Sequence, residues 1–412
     1  MLRLTAEEQG MLEGKQGVPT RKAMEILVAL GQIYGAEELT PVTHVQIAGV
    51  SYKNLGEAGL AFLREWAKQG ARVRVPATLN PAGMDMENWR ALGIPESFAL
   101  RQAQVVEAYA AMGVERTLTC TPYLVGYRPA LGEHLAWSES SAVSFANSVL
   151  GARSNREGGP SALAAAITGR TPCCGLHLES ARVANWLIEV RCSLRREIDF
   201  GALGYWVGKR VRNGVPYFRF LGEMPEWRNQ ETRERSLKML GAAMAASGAV
   251  ALYHIEGVTP EAGQAGMFST QAESWTIDNL DEAFAALNHP GESDAVDFVS
   301  IGCPHASLEE IAAVAERVRD KTLRARLWVT TSRQMRLEAE KQGYVEQIER
   351  AGGFVVADTC IVVAPVELLD VHSMATNSAK AAFYAPAHSG LNVRLGTLEQ
   401  CIHAALAGRW LN

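Results

Sequence analysis

The stretch Ile301-Gly302-Cys303-Pro304-His305-Ala306-Ser307 puts a thiol and an imidazole beside a helix start. The apolar run over 295–301 predicts a buried strand, and Ser307 with Glu310 three residues on forms a capping box, a helix start signal. Cys303 is therefore expected in the turn between a strand and the next helix. Open α/β sheets bind ligands at the carboxyl ends of their strands. A thiol in that turn is fixed by the fold and can still face a cleft. Cys120 in Thr117-Leu-Thr-Cys120-Thr-Pro-Tyr123 and Cys360 in Phe354-Val-Val-Ala-Asp358-Thr-Cys360 have comparable settings. Three cysteines at strand ends point to one metal site assembled by the fold.

Other residues suit anion binding. The loop Gly151-Ala-Arg153-Ser154-Asn155-Arg156-Glu157-Gly158-Gly159-Pro160-Ser161 offers two guanidinium forks, glycines that let backbone N–H groups approach an anion, and the positive end of a helix starting near Ser161. The blander reading is a solvated loop in which Arg156 and Glu157 neutralise each other. Glu139, Ser140, Asn147 and Ser148, just upstream, form a polar stretch of unusual composition. Ser51, Tyr52 and Lys53 follow a predicted strand and could hold a second anionic group, against the reading of a solvated turn. Asn80 and Asp85 lie in a Pro/Gly turn after another strand, where Asp85 would otherwise cap the following helix. His305 either orients a substrate or cofactor or satisfies nearby backbone, and His254 ends a strand that could face the same cleft. Cys192 and Cys401 read as packing residues. The vicinal Cys173-Cys174 pair cannot easily reach one ion together.

These residues need elements to hold them. Helices are expected over 22–34, 58–69, 102–112, 140–147, 180–190, 231–246, 308–321 and 334–351, with a final helix from Leu398; strands are expected over 42–48, 72–76, 117–119, 249–254, 295–301, 327–331 and 354–360. Thr5 with Glu8 reads as a further capping box. Alternation of this kind predicts an α/β protein with mainly parallel sheets flanked by helices. Three regions are expected, 1–200, 201–290 and 291–412, because 412 residues exceed one ordinary core.

Composition narrows the function classes. Apolar residues make up 48% and charged residues 21%, and the net charge is −5 with both signs interspersed. No basic stripe marks a nucleic-acid partner. The run over 239–253 is shorter than the ~20 residues of a membrane helix, and the N-terminus lacks the apolar centre of a signal peptide. No membrane association is expected, and the cytoplasm is the default. Seven cysteines cannot all pair, which suits a reducing compartment. Dinucleotide and P-loop glycine signatures, H-E-x-x-H, G-x-S-x-G and C-x-x-C do not occur.

Taken together, Gly49-Val-Ser51-Tyr52-Lys53, Thr78-Leu-Asn80-Pro-Ala-Gly83-Met-Asp85, Thr119-Cys120-Thr-Pro122-Tyr123, Trp137-Ser-Glu139-Ser140, Phe145-Ala-Asn147-Ser148-Val-Leu-Gly151-Ala-Arg153, Gly302-Cys303-Pro-His305-Ala-Ser307 and Asp358-Thr-Cys360 resemble the large subunit of the aconitase X family. The motifs span most of the chain. In ordinary aconitases the second and third cluster cysteines form C-x-x-C, whereas Cys303 and Cys360 lie far apart, as in the aconitase X branch. The resemblance implies an aconitase-like multi-domain fold with its cleft at strand carboxyl ends. It also implies an iron–sulfur cluster on Cys120, Cys303 and Cys360, and a separate small subunit carrying a swivelling domain and a serine base.

The implied reaction is removal of water from a small anionic hydroxy acid. Three thiolates on a 4Fe–4S cluster leave one iron open for the departing hydroxyl. A 2Fe–2S centre or a lone iron would use the same ligands. Two activities are known in the family, dehydration of phosphomevalonate and of cis-3-hydroxy-L-proline. The segment Ser154-Asn-Arg-Glu-Gly-Gly-Pro-Ser161 resembles the phosphomevalonate type, and Arg156 with Arg153 just before it, against the single Glu157, suits a phosphate. The hydroxyproline branch carries a Tyr-Gly-Asp-like sequence there. A metal-free scaffold with a degenerate site is the alternative of another class.

Overall fold

Short buried strands alternate with helices along the computed structural model, which describes residues 2–225, 227, 229–264 and 266–411. Three parallel sheets follow one another in the chain. The first has strand order Ala77–Leu79, Val45–Ile47, Ala136–Trp137. The second runs His254–Ile255, Pro216–Phe220, Ala184–Val190, Phe268–Ile277. The third runs Phe354–Ala357, Arg326–Thr331, Phe298–Ile301, Ser373–Thr376, Asn392–Leu395. Leu39–Pro41 and Arg170–Pro172 form a small antiparallel pair beside the first sheet. Strands such as Phe298–Ile301 are buried at every position, as expected of parallel sheets covered on both faces.

Helix Leu308–Val318 illustrates how sequence sets an element. Ser307 Oγ accepts from the Glu310 amide at 3.3 Å, and the Glu310 carboxylate accepts from the Ser307 amide at 2.9 Å, completing the expected box. Ile311, Val314, Ala315 and Val318 then face inward at helical spacing onto the third sheet. The other face of that sheet joins the largest core through helices Glu197–Val211, Gln230–Gly248 and Ala379–Ser389. A separate core lies around the first sheet.

The order of the third sheet creates a crevice. From Phe298–Ile301 the chain moves outward through Arg326–Thr331 to Phe354–Ala357, then returns to the other side for Ser373–Thr376 and Asn392–Leu395. Connections leaving Phe298–Ile301 and Ser373–Thr376 therefore diverge at their carboxyl ends, the switch point where α/β sheets bind ligands. Cys303 follows the first of these strands and Ser378 the second.

Several expectations are corrected. The segment expected as a helix over 180–190 is the strand Ala184–Val190, whose side chains alternate between core and partial exposure, a period of two. This strand pairs in the second sheet, although it lies inside the region expected to form the first. Residues 72–76 are not a strand; the strand is Ala77–Leu79, paired with Val45–Ile47. Residues 117–119 form no named strand, and Glu115 makes only an isolated bridge to Thr78. The helix expected over 334–351 is divided at Gly343, with φ +77°, into Arg333–Lys341 and Tyr344–Arg350. Among the described residues no helix is long and apolar enough to cross a membrane.

Candidate metal centre

Cys120, Cys303 and Cys360 are all buried and unpaired as thiols. Gly302, with φ +92°, lets the chain leave the strand ahead of Cys303. A Cβ there would fall 2.2 Å from the Thr330 carbonyl oxygen. The hydroxyl of Thr330 donates to the Gly302 carbonyl at 2.7 Å, and that of Thr331 to the Ala306 carbonyl at 2.7 Å, so the neighbouring strand grips both sides of the turn.

His305 joins the three cysteine segments. Its backbone N–H donates to Cys120 Sγ at 3.2 Å. Its ring Nε2 lies 3.0 Å from the carbonyl oxygen of Thr359, which can only accept, so the proton sits on Nε2. Nδ1 then accepts from the Thr119 hydroxyl at 2.9 Å. Thr119 and Thr359 are the residues immediately before Cys120 and Cys360, and Cys303 stands two positions before His305. Burial lowers the ring's pKa to about 4, so it is neutral at pH 7. Of its two readings, the backbone-satisfying histidine describes its hydrogen bonds, and that role itself draws the thiols together.

A buried ion pair lies against the thiols. Lys380 Nζ, in the first turn of Ala379–Ser389, pairs with Glu139 and lies 3.2 Å from Ser141 Oγ. Asn80 Nδ2 donates to the other Glu139 oxygen at 2.8 Å, and Ser141 Oγ donates to Glu139 at 3.0 Å. Burial raises the Glu139 pKa, but Lys380 and these donors outweigh it and hold the carboxyl down at about 2. Burial likewise works against the Lys380 cation, and the Glu139 charge overcomes it, holding the pKa above the ordinary lysine value. The Lys380 charge favours the thiolate at all three cysteines, and Ser378 favours it at Cys303.

The remaining expected residues divide into two groups. Asn80 and Glu139 reach the centre, and Ser140 is buried next to Glu139. Ser51 Oγ donates to the Val363 carbonyl at 2.8 Å, and Lys53 Nζ reaches the Ala364 carbonyl at 3.2 Å and Glu367 at 2.7 Å, so both hold the loop after Cys360. The Tyr52 hydroxyl turns to Glu57. Asn147, Ser148 and Asn155 are engaged with backbone groups of Ser154, Tyr253 and Cys174 respectively. Arg153 binds the His177 carbonyl and Glu179, each at 3.1 Å. Arg156 is exposed. Glu157 accepts from Ser161 and Thr171 instead of neutralising it. Asp85 caps a turn through the amides of Glu87 and Asn88. His254 is buried, with Nε2 donating to the Arg182 carbonyl at 2.8 Å. Sequence reasoning missed Lys380, Thr119, Thr359 and Ser378; single polar residues of these types carry no motif.

Family profiles described as Aconitase X first, second and third domain match residues 1–180, 184–285 and 296–407. The chain belongs to the aconitase X family. It is 48% identical to the Phosphomevalonate dehydratase large subunit of Methanocaldococcus jannaschii over 97% of this chain and 99% of that one. Identity to the protein of the same name from Methanothermobacter thermautotrophicus is 50%, over 94% and 95%. The Cis-3-hydroxy-L-proline dehydratase of Pseudomonas aeruginosa is 36% identical over 99% of this chain but 70% of its own length. The crystal structure of Thermococcus kodakaraensis aconitase X in its holo-form superposes with a TM-score of 0.88 at 46% identity, covering 98% of this chain and all of that one.

Within this aconitase X chain the donor set can be tested against an iron–sulfur cluster. Burial raises the pKa of all three thiols, Cys360 to about 12, so they stay protonated unless a cation replaces the proton. Thiolates are soft donors and suit iron–sulfur centres. Among the described residues no three His, Cys, Asp or Glu side chains are grouped closely enough to hold a single metal ion. Asn80 Oδ1, Ser138 Oγ and Thr359 Oγ1 are buried without a hydrogen-bond partner. All three belong to segments that meet at the thiols, and such orphaned atoms are what a bound group would engage. The residues fit the cofactor.

Proposed function

We infer that this chain is the large subunit of an iron–sulfur hydro-lyase that dehydrates (R)-5-phosphomevalonate to trans-anhydromevalonate 5-phosphate. Cys120, Cys303 and Cys360 would hold the cluster, read as 4Fe–4S. When bound, a three-thiolate cluster supplies an iron with an open position, a Lewis acid toward the leaving hydroxyl. The chain's own residues then have defined work. His305 keeps the three segments in register. Lys380 holds a cation beside the thiols, offsetting their negative charge and favouring an anionic substrate. Glu139, held ionised by Lys380 and its hydrogen-bond donors, orients Lys380 and Asn80. Asn80, Ser138 and Thr359 offer free polar atoms for orienting hydroxyl or carboxylate. The base is assigned to a small subunit with a swivelling domain, and the pair to the cytoplasm.

The observation that carries this reading is the set of hydrogen bonds from His305 that binds the Cys120, Cys303 and Cys360 segments at one point. Support for the substrate comes from the full-length similarity to proteins named phosphomevalonate dehydratase large subunits. The test is anaerobic co-expression with the small subunit and assay of both family substrates. Turnover of phosphomevalonate without cis-3-hydroxy-L-proline is expected; the reverse pattern overturns the substrate.

A further inference from the structure

Cys360 is preceded by an arrangement that its own segment cannot hold alone. Asp358 has φ +67°, a left-handed conformation that L-residues adopt at a cost. Its side chain is buried and meets Arg333, the first residue of helix Arg333–Lys341. The same Arg333 Nη2 lies 2.6 Å from Asp85 Oδ1, and its Nη1 lies 3.0 Å from Glu87.

Asp85 is completely buried, and its second oxygen accepts from the Ala357 amide at 2.9 Å. The Met86 amide donates to Asp358 Oδ2 at 3.2 Å, and the Ala82 amide to the Asp358 carbonyl at 2.8 Å. Residues 82–88, which follow the first-sheet strand Ala77–Leu79, are thus laced to the end of a third-sheet strand, two positions before a thiol.

We propose that Arg333 is a positioning residue for Cys360: its guanidinium joins Asp85 to Asp358 and so fixes the backbone that presents the third thiol to the cluster. This rests on the reading above that Cys360 is a ligand. Without the guanidinium two buried carboxylates face each other, and the left-handed turn at Asp358 loses its restraint. Cys360 then moves relative to Cys120 and Cys303. A planar fork is needed, because one group spans two carboxylates, and a lysine ammonium replaces it only in part.

The test compares Arg333→Gln, Arg333→Lys, Cys360→Ala and Arg394→Gln in the full chain reconstituted anaerobically with iron and sulfide. Arg394 pairs with Asp294 at 2.7 Å in the same sheet and away from the thiols, so its variant reports the loss of an ion pair alone. The readouts are iron and acid-labile sulfide per chain, the rate at which a chelator bleaches cluster absorbance, and the melting midpoint before reconstitution. Arg333→Gln should bleach about tenfold faster or more, the scale of losing a supporting contact around a metal ligand. Arg333→Lys should fall between it and the parent, and Arg394→Gln should bleach at the parent rate. Should Arg333→Gln not fold, the lysine variant decides alone: faster bleaching at a parental melting midpoint supports the role, and parental bleaching overturns it. Parental iron content and bleaching in both Arg333 variants, with loss in Cys360→Ala, sinks the proposal and leaves the ligand reading standing. A parental cluster in Cys360→Ala overturns that reading instead.

Discussion

His305 donates from ring Nε2 to the carbonyl oxygen of Thr359 at 3.0 Å, one residue ahead of Cys360. The same residue touches Cys120 Sγ through its backbone and Thr119 through Nδ1. A neutral imidazole here acts as a fixed spacer with one donor and one acceptor. His305→Ala should remove both ring contacts, leave the buried Thr359 carbonyl without a partner while Thr119 keeps Thr121, and cost about 1–3 kcal/mol. Iron per chain should fall well below the parent value, and His305→Asn should recover part of it. Parental iron and sulfide in His305→Ala would show that the thiols need no such spacer.

Gly302→Ala tests the turn itself. The added methyl would lie against the Thr330 carbonyl oxygen, and φ +92° suits only glycine well. The expected loss exceeds about 1 kcal/mol, the scale for alanine forced into a positive φ. Denaturant unfolding measures it, and iron content should fall with it. An unchanged midpoint would mean that the turn relaxes freely.

The Glu139–Lys380 pair should behave as two buried charges that need each other. Removing one partner alone, by Lys380→Met or Glu139→Gln, should cost about 3–5 kcal/mol. Removing both should recover much of that stability. Turnover should stay lost in the double variant, because the cation beside the thiols is gone. A fully active double variant would reduce the pair to a structural role.

Much of the frame is readable in the sequence, because local rules are strong where one element decides itself. Ser307 and Glu310 announce their helix, and Thr5 and Glu8 announce another, since a capping box needs only four consecutive residues. The three cysteines stand out by their place after apolar runs. The segment over 184–190 misleads because its apolar residues fit either period, and pairing with two neighbouring strands decides it. Ser373–Thr376 escapes notice because the four residues Ser-Met-Ala-Thr are too few to show a pattern. Lys380 could not be picked out, since its partner Glu139 lies 241 positions earlier and only the folded chain joins them.

Stability should fall as the pH drops below about 6.5, the ordinary histidine value. Burial lowers the pKa of His44 to about 4, and burial, then His134, Arg182 and Arg153, lowers that of His177 to about 3. Between the folded and unfolded values the unfolded chain binds protons that the native chain refuses, so stability rises with pH across that window. His44 accepts from Trp137 Nε1 at 2.8 Å, a contact His44→Gln can keep. That variant should show a shallower loss of melting midpoint between pH 6.5 and 4. Slopes identical to the parent would place the acid sensitivity elsewhere.

The central claim is that three distant thiols share one iron–sulfur centre. The direct measurement is iron and acid-labile sulfide per chain after anaerobic reconstitution, compared across Cys120→Ala, Cys303→Ala, Cys360→Ala and the buried control Cys401→Ala. Loss of the cluster in the first three, with full loading in Cys401→Ala and unchanged circular dichroism throughout, is the expected result. Full loading in any one of the first three would contradict it.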